Sequence, residues 1–122
     1  MKDILIFSGK VIRGENLGKK LSFPTANIDR REFKKLSKKP KLGIYSGYVI
    51  LPNKKKNKAA LIIGPLDKKG LPKLEAHLIN FSGNLYGKKL TFALGQFLRH
   101  FKKYSDQKEL IRQIKEDIKK IH

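Results

Sequence analysis

Between Gly43 and Leu98 the chain repeats one pattern. A short β-branched or aromatic run is followed by a turn rich in Gly, Pro, Asn, Ser or Lys. Gly43-Ile44-Tyr45-Ser46-Gly47-Tyr48-Val49-Ile50-Leu51 has strand composition. Pro52 to Lys58 reads as a turn and Ala59 to Ile63 as the returning strand of a hairpin. Gly64 to Lys73 is a loop punctuated by Gly64-Pro65 and Gly70. Leu74 to Phe81 is the next strand, Ser82-Gly83-Asn84 turns it, and Lys89 to Leu98 follows. Ile4 to Ile12 supplies a strand at the start, with Gly9 read as a bulge. Strands this short and closely spaced cannot bury themselves in a βαβ sheet. They point to a small closed antiparallel barrel. Closure also removes the unpaired edges through which sheets aggregate.

Two stretches depart from the pattern. Asp29 to Lys41 is a charged connection with a short helical turn around Phe33 and Leu36. Near the C-terminus, Leu110, Ile111, Ile114, Ile118 and Ile121 recur at helical spacing and make one apolar stripe. Ser105 or Asp106 can cap this helix, and Glu116 with Lys120 is an i,i+4 pair in the better orientation. The stripe is expected to pack on the barrel. With no internal repeat and no linker, residues 1–122 are read as one domain. A chain of 122 residues can bury a core without staples, and it has no cysteine. No apolar run approaches the ~20 residues of a membrane span. The Ile4-Leu5-Ile6-Phe7 run is too short for a signal peptide. The expectation is a cytoplasmic monomer with no membrane partner.

The formal net charge of +19 invites a nucleic-acid reading. Against it, the excess is mostly lysine rather than the bidentate arginine that reads phosphate and guanine. The lysines also fall in turns: Lys38-Lys39, Lys54-Lys55-Lys56, Lys68-Lys69, Lys88-Lys89 and Lys102-Lys103. No specific nucleic-acid partner is expected. The field should still attract ATP and other anions, and favour nonspecific nucleic-acid binding at low salt.

The stretch Gly14-Glu15-Asn16-Leu17-Gly18-Lys19-Lys20-Leu21-Ser22-Phe23-Pro24-Thr25-Ala26-Asn27 carries the most chemistry. Gly14 and Gly18 permit backbone amides to face an anion, and Lys19 adds a mobile cation. Pro24 pushes Phe23 toward extended geometry. If the segment is extended, Thr25 and Asn27 share a face. A hydroxyl and an amide oxygen side by side are hard ligands suited to Mg²⁺ on a nucleotide phosphate. A surface loop with a Pro turn and a Thr/Asn cap would use the same residues. Three residues, not four, separate Gly14 from Gly18, so this is no Walker A loop.

Glu75 is the candidate base. Leu74, Ala76 and Leu78 face one side of its strand, Glu75 and His77 the other. A Glu paired with one of many lysines on a solvated face is the competing reading. His77, His100 and His122 lie on separate elements, so no His-based metal site is expected. His77 reads as a hydrogen-bonding neighbour of Glu75.

The run Gly-x-x-x-Gly-Lys-x-Leu-x-Phe-Pro-Thr-Ala-Asn resembles the signature of the riboflavin kinase (flavokinase) family. Leu74-Glu75-Ala76-His77-Leu78-Ile79-Asn80-Phe81, Leu85-Tyr86-Gly87 and Phe97-Leu98-Arg99 recur there in the same order, so the resemblance covers essentially the whole chain. It implies a six-stranded Greek-key barrel with a C-terminal α-helix. The implied reaction is Mg²⁺- and ATP-dependent phosphorylation of riboflavin to FMN, with ADP released. By the same resemblance, Glu75 takes the proton from the ribityl 5′-hydroxyl and Thr25 and Asn27 hold the metal. ATP would meet Gly14, Gly18, Lys19, Thr25, Asn27, Leu78, Asn80 and Tyr86. Flavin would meet Arg99, Lys102 and Glu109. Many bacterial relatives carry an adenylylating domain in front of this one. Met1 opens this chain, so FMN is the expected end point. The chain departs from the family at Lys19, Ser22, the Gly64-Pro65-Leu66-Asp67 run and His100. The alternatives are a flavin- or nucleotide-binding module with little turnover, and a basic nucleic-acid-binding barrel.

Overall fold

The structure is a computed structural model, and it describes residues 5–12, 25–100, 112, 113, 116 and 119. Six strands form the body: β1 (Leu5–Ile12), β2 (Thr25–Ile28), β3 (Gly43–Ile50), β4 (Lys56–Leu66), β5 (Pro72–Leu78) and β6 (Lys89–Arg99). They close into an antiparallel barrel in the order β1-β2-β5-β4-β3-β6. Strands β3, β4 and β5 are consecutive neighbours, and β6 returns beside β3, which is a Greek key.

Alternation decides what goes inside. Phe7 and Val11 of β1, Ala26 and Ile28 of β2, and Leu74, Ala76 and Leu78 of β5 all join one buried cluster. Tyr45 and Val49 of β3, Ala59, Leu61 and Ile63 of β4 and Leu90, Phe92 and Leu94 of β6 belong to it too. Phe7 and Phe92 pack with ring centroids 5.4 Å apart. The barrel therefore has a filled interior, and the residues that alternate with these positions point outward.

Asp29 caps a 3₁₀-helix over Arg30–Lys35, accepting from the Arg31 amide at 2.9 Å. This is the expected helical turn, and its Phe33 is buried in the core cluster. Arg31 hydrogen bonds hold the Asp29 carboxyl down to about 2.

Three details correct the sequence reading. Gly9 is not a bulge. It pairs with Leu90 in an unbroken register from Leu5↔Leu94 to Lys10↔Lys89. A Cβ there would come within 2.3 Å of Ile28 Cγ2 and 2.9 Å of Glu32 Cγ, so glycine makes room for β2 and the 3₁₀-helix. The shifts in register lie instead between β3 and β6, around Tyr45. The β3–β4 turn is also tighter than expected. Leu51 N donates to Lys55 O at 2.9 Å, Lys54 takes a positive φ, and Lys56 to Lys58 already belong to β4. Likewise Gly64 to Leu66 extend β4 and Pro72-Lys73 open β5, while Ile79 to Phe81 lie beyond β5. The connecting turn is built on Asp67, whose carboxylate accepts from Lys69 N and Leu71 N, both at 2.9 Å.

In the C-terminal segment Arg112, Gln113, Glu116 and Lys119 are helical, and Lys119 reaches Glu116 at 3.4 Å. The apolar stripe, its cap and Lys120 lie outside the described residues. No helix among the described residues is long and apolar enough to cross a membrane.

Candidate functional site

Strands β2 and β5 run antiparallel with Thr25 opposite His77, Ala26 opposite Ala76, Asn27 opposite Glu75 and Ile28 opposite Leu74. The apolar pairs 26/76 and 28/74 point into the core. That forces Thr25, Asn27, Glu75 and His77 onto the outer face as two adjacent polar rungs. Although they face out of the barrel, Asn27, Glu75 and His77 are only 8%, 4% and 2% exposed. Buried polar groups of this kind must be paired or they are costly.

Glu75 is paired on both oxygens. Lys73 Nζ lies 3.0 Å from Oε2, and His77 Nε2 lies 3.5 Å from Oε1. Lys73, Glu75 and His77 alternate along β5, so they share one face. Burial pushes the His77 imidazole below its ordinary 6.5. Glu75 opposes that shift and Lys73 adds to it. Burial thus favours the neutral imidazole at His77, and the salt bridge of the cluster is Lys73–Glu75.

The sequence reading placed Thr25, Asn27, Glu75 and His77 correctly on shared faces of their own strands. It missed Lys73, which it left in a loop. The available signal was the i, i+2 spacing to Glu75, which puts the two on one face once Lys73 is counted as strand.

The other candidates surround this pair of rungs. Leu78 ends β5 with its side chain in the core, so only its backbone is available to a ligand. Asn80 follows with φ of 53°. The Asn57 amide donates to Ile79 O at 3.0 Å and ties this turn to β4. Tyr86 is 56% exposed. Its amide donates to Asn84 Oδ1 at 2.9 Å, and the neighbouring Gly87 amide donates to Val11 O at 3.0 Å, which fixes the turn to the end of β1.

Arg99 ends β6. It pairs with Ile44, which pairs with Ile62, which pairs with Glu75. Arg99 and Glu75 thus sit three strands apart on one ladder row, about 14 Å along the barrel wall at ~4.8 Å per strand. Gly14, Gly18, Lys19, Lys102 and Glu109 lie outside the described residues.

The oxygens of Thr25 and Asn27 fit Mg²⁺ by their chemistry. Both are hard donors on one face, beside a buried carboxylate. Among the described residues no group of three or more His, Cys, Asp or Glu could hold an ion unaided. An ion here would need phosphate oxygens and water to complete its shell, which is how Mg²⁺ is commonly held.

With this geometry in hand, the comparisons are specific. The family model for riboflavin kinase (flavokinase) matches residues 2–122. An RNA-binding riboflavin kinase of Bacillus subtilis is 32% identical over 93% of this chain and 48% of its own length. A bifunctional riboflavin kinase/FMN adenylyltransferase of Buchnera aphidicola is 35% identical over 91% of this chain and 36% of its own. The chain thus spans half or less of these two relatives. Mouse riboflavin kinase is 32% identical over 90% of this chain and 74% of its own length. Among solved structures, a riboflavin kinase from Trypanosoma brucei superposes with a TM-score of 0.63 at 26% identity, covering 93% of this chain and 74% of that one. A Streptococcus pneumoniae structure described as a macrolide-efflux protein has a TM-score of 0.79 at 23% identity over 95% of this chain and 38% of that one. That match shows a shared fold. A full-length family match, a mouse relative covered over most of its length and a six-stranded Greek-key barrel agree: the chain belongs to the riboflavin kinase family.

Proposed function

We propose that the β2–β5 face transfers the γ-phosphoryl group of ATP to the ribityl 5′-hydroxyl of riboflavin, giving FMN and ADP. The observation that carries this is the Asn27–Glu75 rung, with Thr25–His77 beside it. Phosphoryl transfer asks the protein mainly for positioning and for charge placed where phosphate charge develops. Lys73 and His77 fix the Glu75 carboxylate, and its backbone is locked in a central strand. That carboxylate accepts the hydroxyl proton as the hydroxyl oxygen bonds to the γ-phosphorus. The bond from that phosphorus to the β–γ bridging oxygen breaks, and ADP leaves with the electron pair. Mg²⁺, held by Thr25 and Asn27 together with phosphate oxygens, would neutralise charge on the transferred group.

Asn80, just past the His77 end of β5, and Tyr86, in the turn beside the end of β1, would meet the nucleotide base. The flavin would be met by Arg99 at the end of β6, with the ribityl hydroxyl brought to Glu75. Keeping Thr25, Asn27 and Glu75 in one constellation favours an enzyme over a module that only binds. The direct test is to incubate the protein with riboflavin, ATP and Mg²⁺ and resolve the flavins by chromatography. FMN should form only when all three are present. A folded protein that yields no FMN above the protein-free control would remove the proposal.

A further inference from the structure

The barrel has a second outward face, made by β1, β6, β3 and the start of β4. Its rungs are Lys10–Lys89, Ser8–Thr91–Ile50–Lys56 and Ile6–Ala93–Tyr48–Lys58. In the barrel order, β6 is three strands from β5 in either direction, so this face looks away from the Glu75 rungs. Ile6 is 52% exposed, and Lys10, Lys56, Lys58 and Lys89 are all exposed.

Charge is segregated between the two faces. No Asp or Glu occurs from residue 33 to 66 or from 76 to 105. Of the described acidic residues, Asp29, Glu32, Asp67 and Glu75 lie on or beside β2, the 3₁₀-helix and β5 and Glu116 in the C-terminal segment; none lies on β1, β3, β4 or β6. No ion pair among the described residues involves Lys10, Lys56, Lys58 or Lys89. Lys10 and Lys89 stand directly opposite each other across a strand pair. Like charges in that position are destabilising, and an anion bridging them would reverse the sign. Between the lysines lies Tyr48, with Lys56 Nζ 4.8 Å from its ring centroid. Lysines around a half-buried aromatic on a sheet face are the elements of single-strand binding: cations follow the phosphates while the exposed part of the ring stacks on a base.

We infer that this face binds single-stranded nucleic acid without sequence preference, with phosphates on Lys10/Lys89 and Lys56/Lys58 and a base stacked on Tyr48. The inference does not depend on the kinase reading, because it uses none of the residues assigned to phosphoryl transfer.

The test is fluorescence polarisation of the whole protein with a labelled oligouridylate between 50 and 200 mM KCl. Four engaged lysines give a slope of log affinity against log salt of about −3, and Lys10→Gln with Lys89→Gln should bring it to about −1.5. Tyr48→Ala should weaken binding about tenfold and Tyr48→Phe should restore it. Lys68→Gln with Lys69→Gln removes the same charge from the β4–β5 turn and should leave affinity within twofold. FMN formation should be unchanged in the Lys10/Lys89 variant, and its thermal midpoint should not fall. Equal losses from the two lysine pairs would show that net charge alone binds the strand and would overturn the inference. So would an inert Tyr48→Ala, or tighter binding to phosphatidylserine vesicles than to the oligonucleotide.

Discussion

Two outward faces of one barrel are built on opposite terms. On β2 and β5 the outward side chains Asn27, Glu75 and His77 are polar and buried, and Glu75 is held by Lys73 and His77. On β1 and β6 they include Lys10, Lys89 and Ile6, which are cationic or apolar and open to solvent, with half-buried Tyr48 of β3 beside them. Both faces rest on the same apolar interior, so the interior explains neither. The difference teaches where to look for function. Burying a carboxylate on the outside of a barrel costs free energy, and so does placing two lysines opposite one another. The first cost is offset by the Lys73–Glu75 ion pair, and on the inference above a bound anion would offset the second.

The largest effect expected in a stability measurement separates the shared interior from the faces. Leu74→Ala, beneath the Glu75 rung, should cost about 2–5 kcal/mol in denaturant unfolding, as fully buried leucines do. Ile6→Ala on the open face should cost no more than about 0.5 kcal/mol. Comparable losses would mean that the second face is covered and the contrast is false.

Next in size is the metal and phosphate pair. Thr25→Ala or Asn27→Ala should weaken use of Mg²⁺-ATP by about tenfold or more, the worth of a hydrogen bond or ligand to a charged group. Binding of riboflavin alone should change little. Unaltered Mg²⁺-ATP kinetics in both variants would detach these residues from the metal.

A smaller effect follows from His77. Its native pKa lies below the 6.5 of the unfolded chain because burial disfavours the imidazolium. Below 6.5 the unfolded state therefore takes up a proton that the folded state refuses. The stability contributed by neutral His77 is fully present above 6.5 and declines as pH falls from there toward the lowered native pKa. The slope is at most about 1.4 kcal/mol per pH unit. His77→Gln should flatten that part of the profile, and an unchanged profile would mean that His77 takes up its proton alike in the folded and unfolded chain.

The smallest effect belongs to the open face. Lys10→Gln with Lys89→Gln should raise stability by a few tenths of a kcal/mol at low salt, the size of a relieved cross-strand repulsion. Salt should erase the gain. A loss of stability would show that the two lysines are not in conflict.

Much of this contrast was legible in the sequence, and the rest was not, for physical reasons. Alternation along Leu74-Glu75-Ala76-His77-Leu78 is local, so the two faces of β5 could be read directly. The pairing of Asn27 with Glu75 is not local. It depends on closing a chain of nearly fifty residues, and nothing in either segment announces its partner. Lys73 was missed because Gly70 and Pro72 read as loop, yet Pro72 opens the strand, a position where a missing amide is tolerated. Lys56 to Lys58 looked like a turn because lysines crowd there. In the structure the turn closes at Lys55, and those lysines become the rim of the second face. Gly9 illustrates the opposite error. Glycine in a strand suggests a bulge, but here its missing Cβ is space that Ile28 and Glu32 fill.

The central claim is that chemistry belongs to the β2–β5 face alone. Steady-state FMN formation by Glu75→Gln, compared with Lys10→Gln/Lys89→Gln in the same assay, tests it most directly. Glu75→Gln keeps the side-chain shape and removes the base, so kcat should fall about 10²–10⁴-fold, with KM for riboflavin and ATP changed far less. The lysine variant should stay within about twofold of the unaltered protein, the range expected for surface changes away from a site. Near-full kcat in Glu75→Gln, with that variant folded, would contradict the account and return Glu75 to a structural pairing with Lys73.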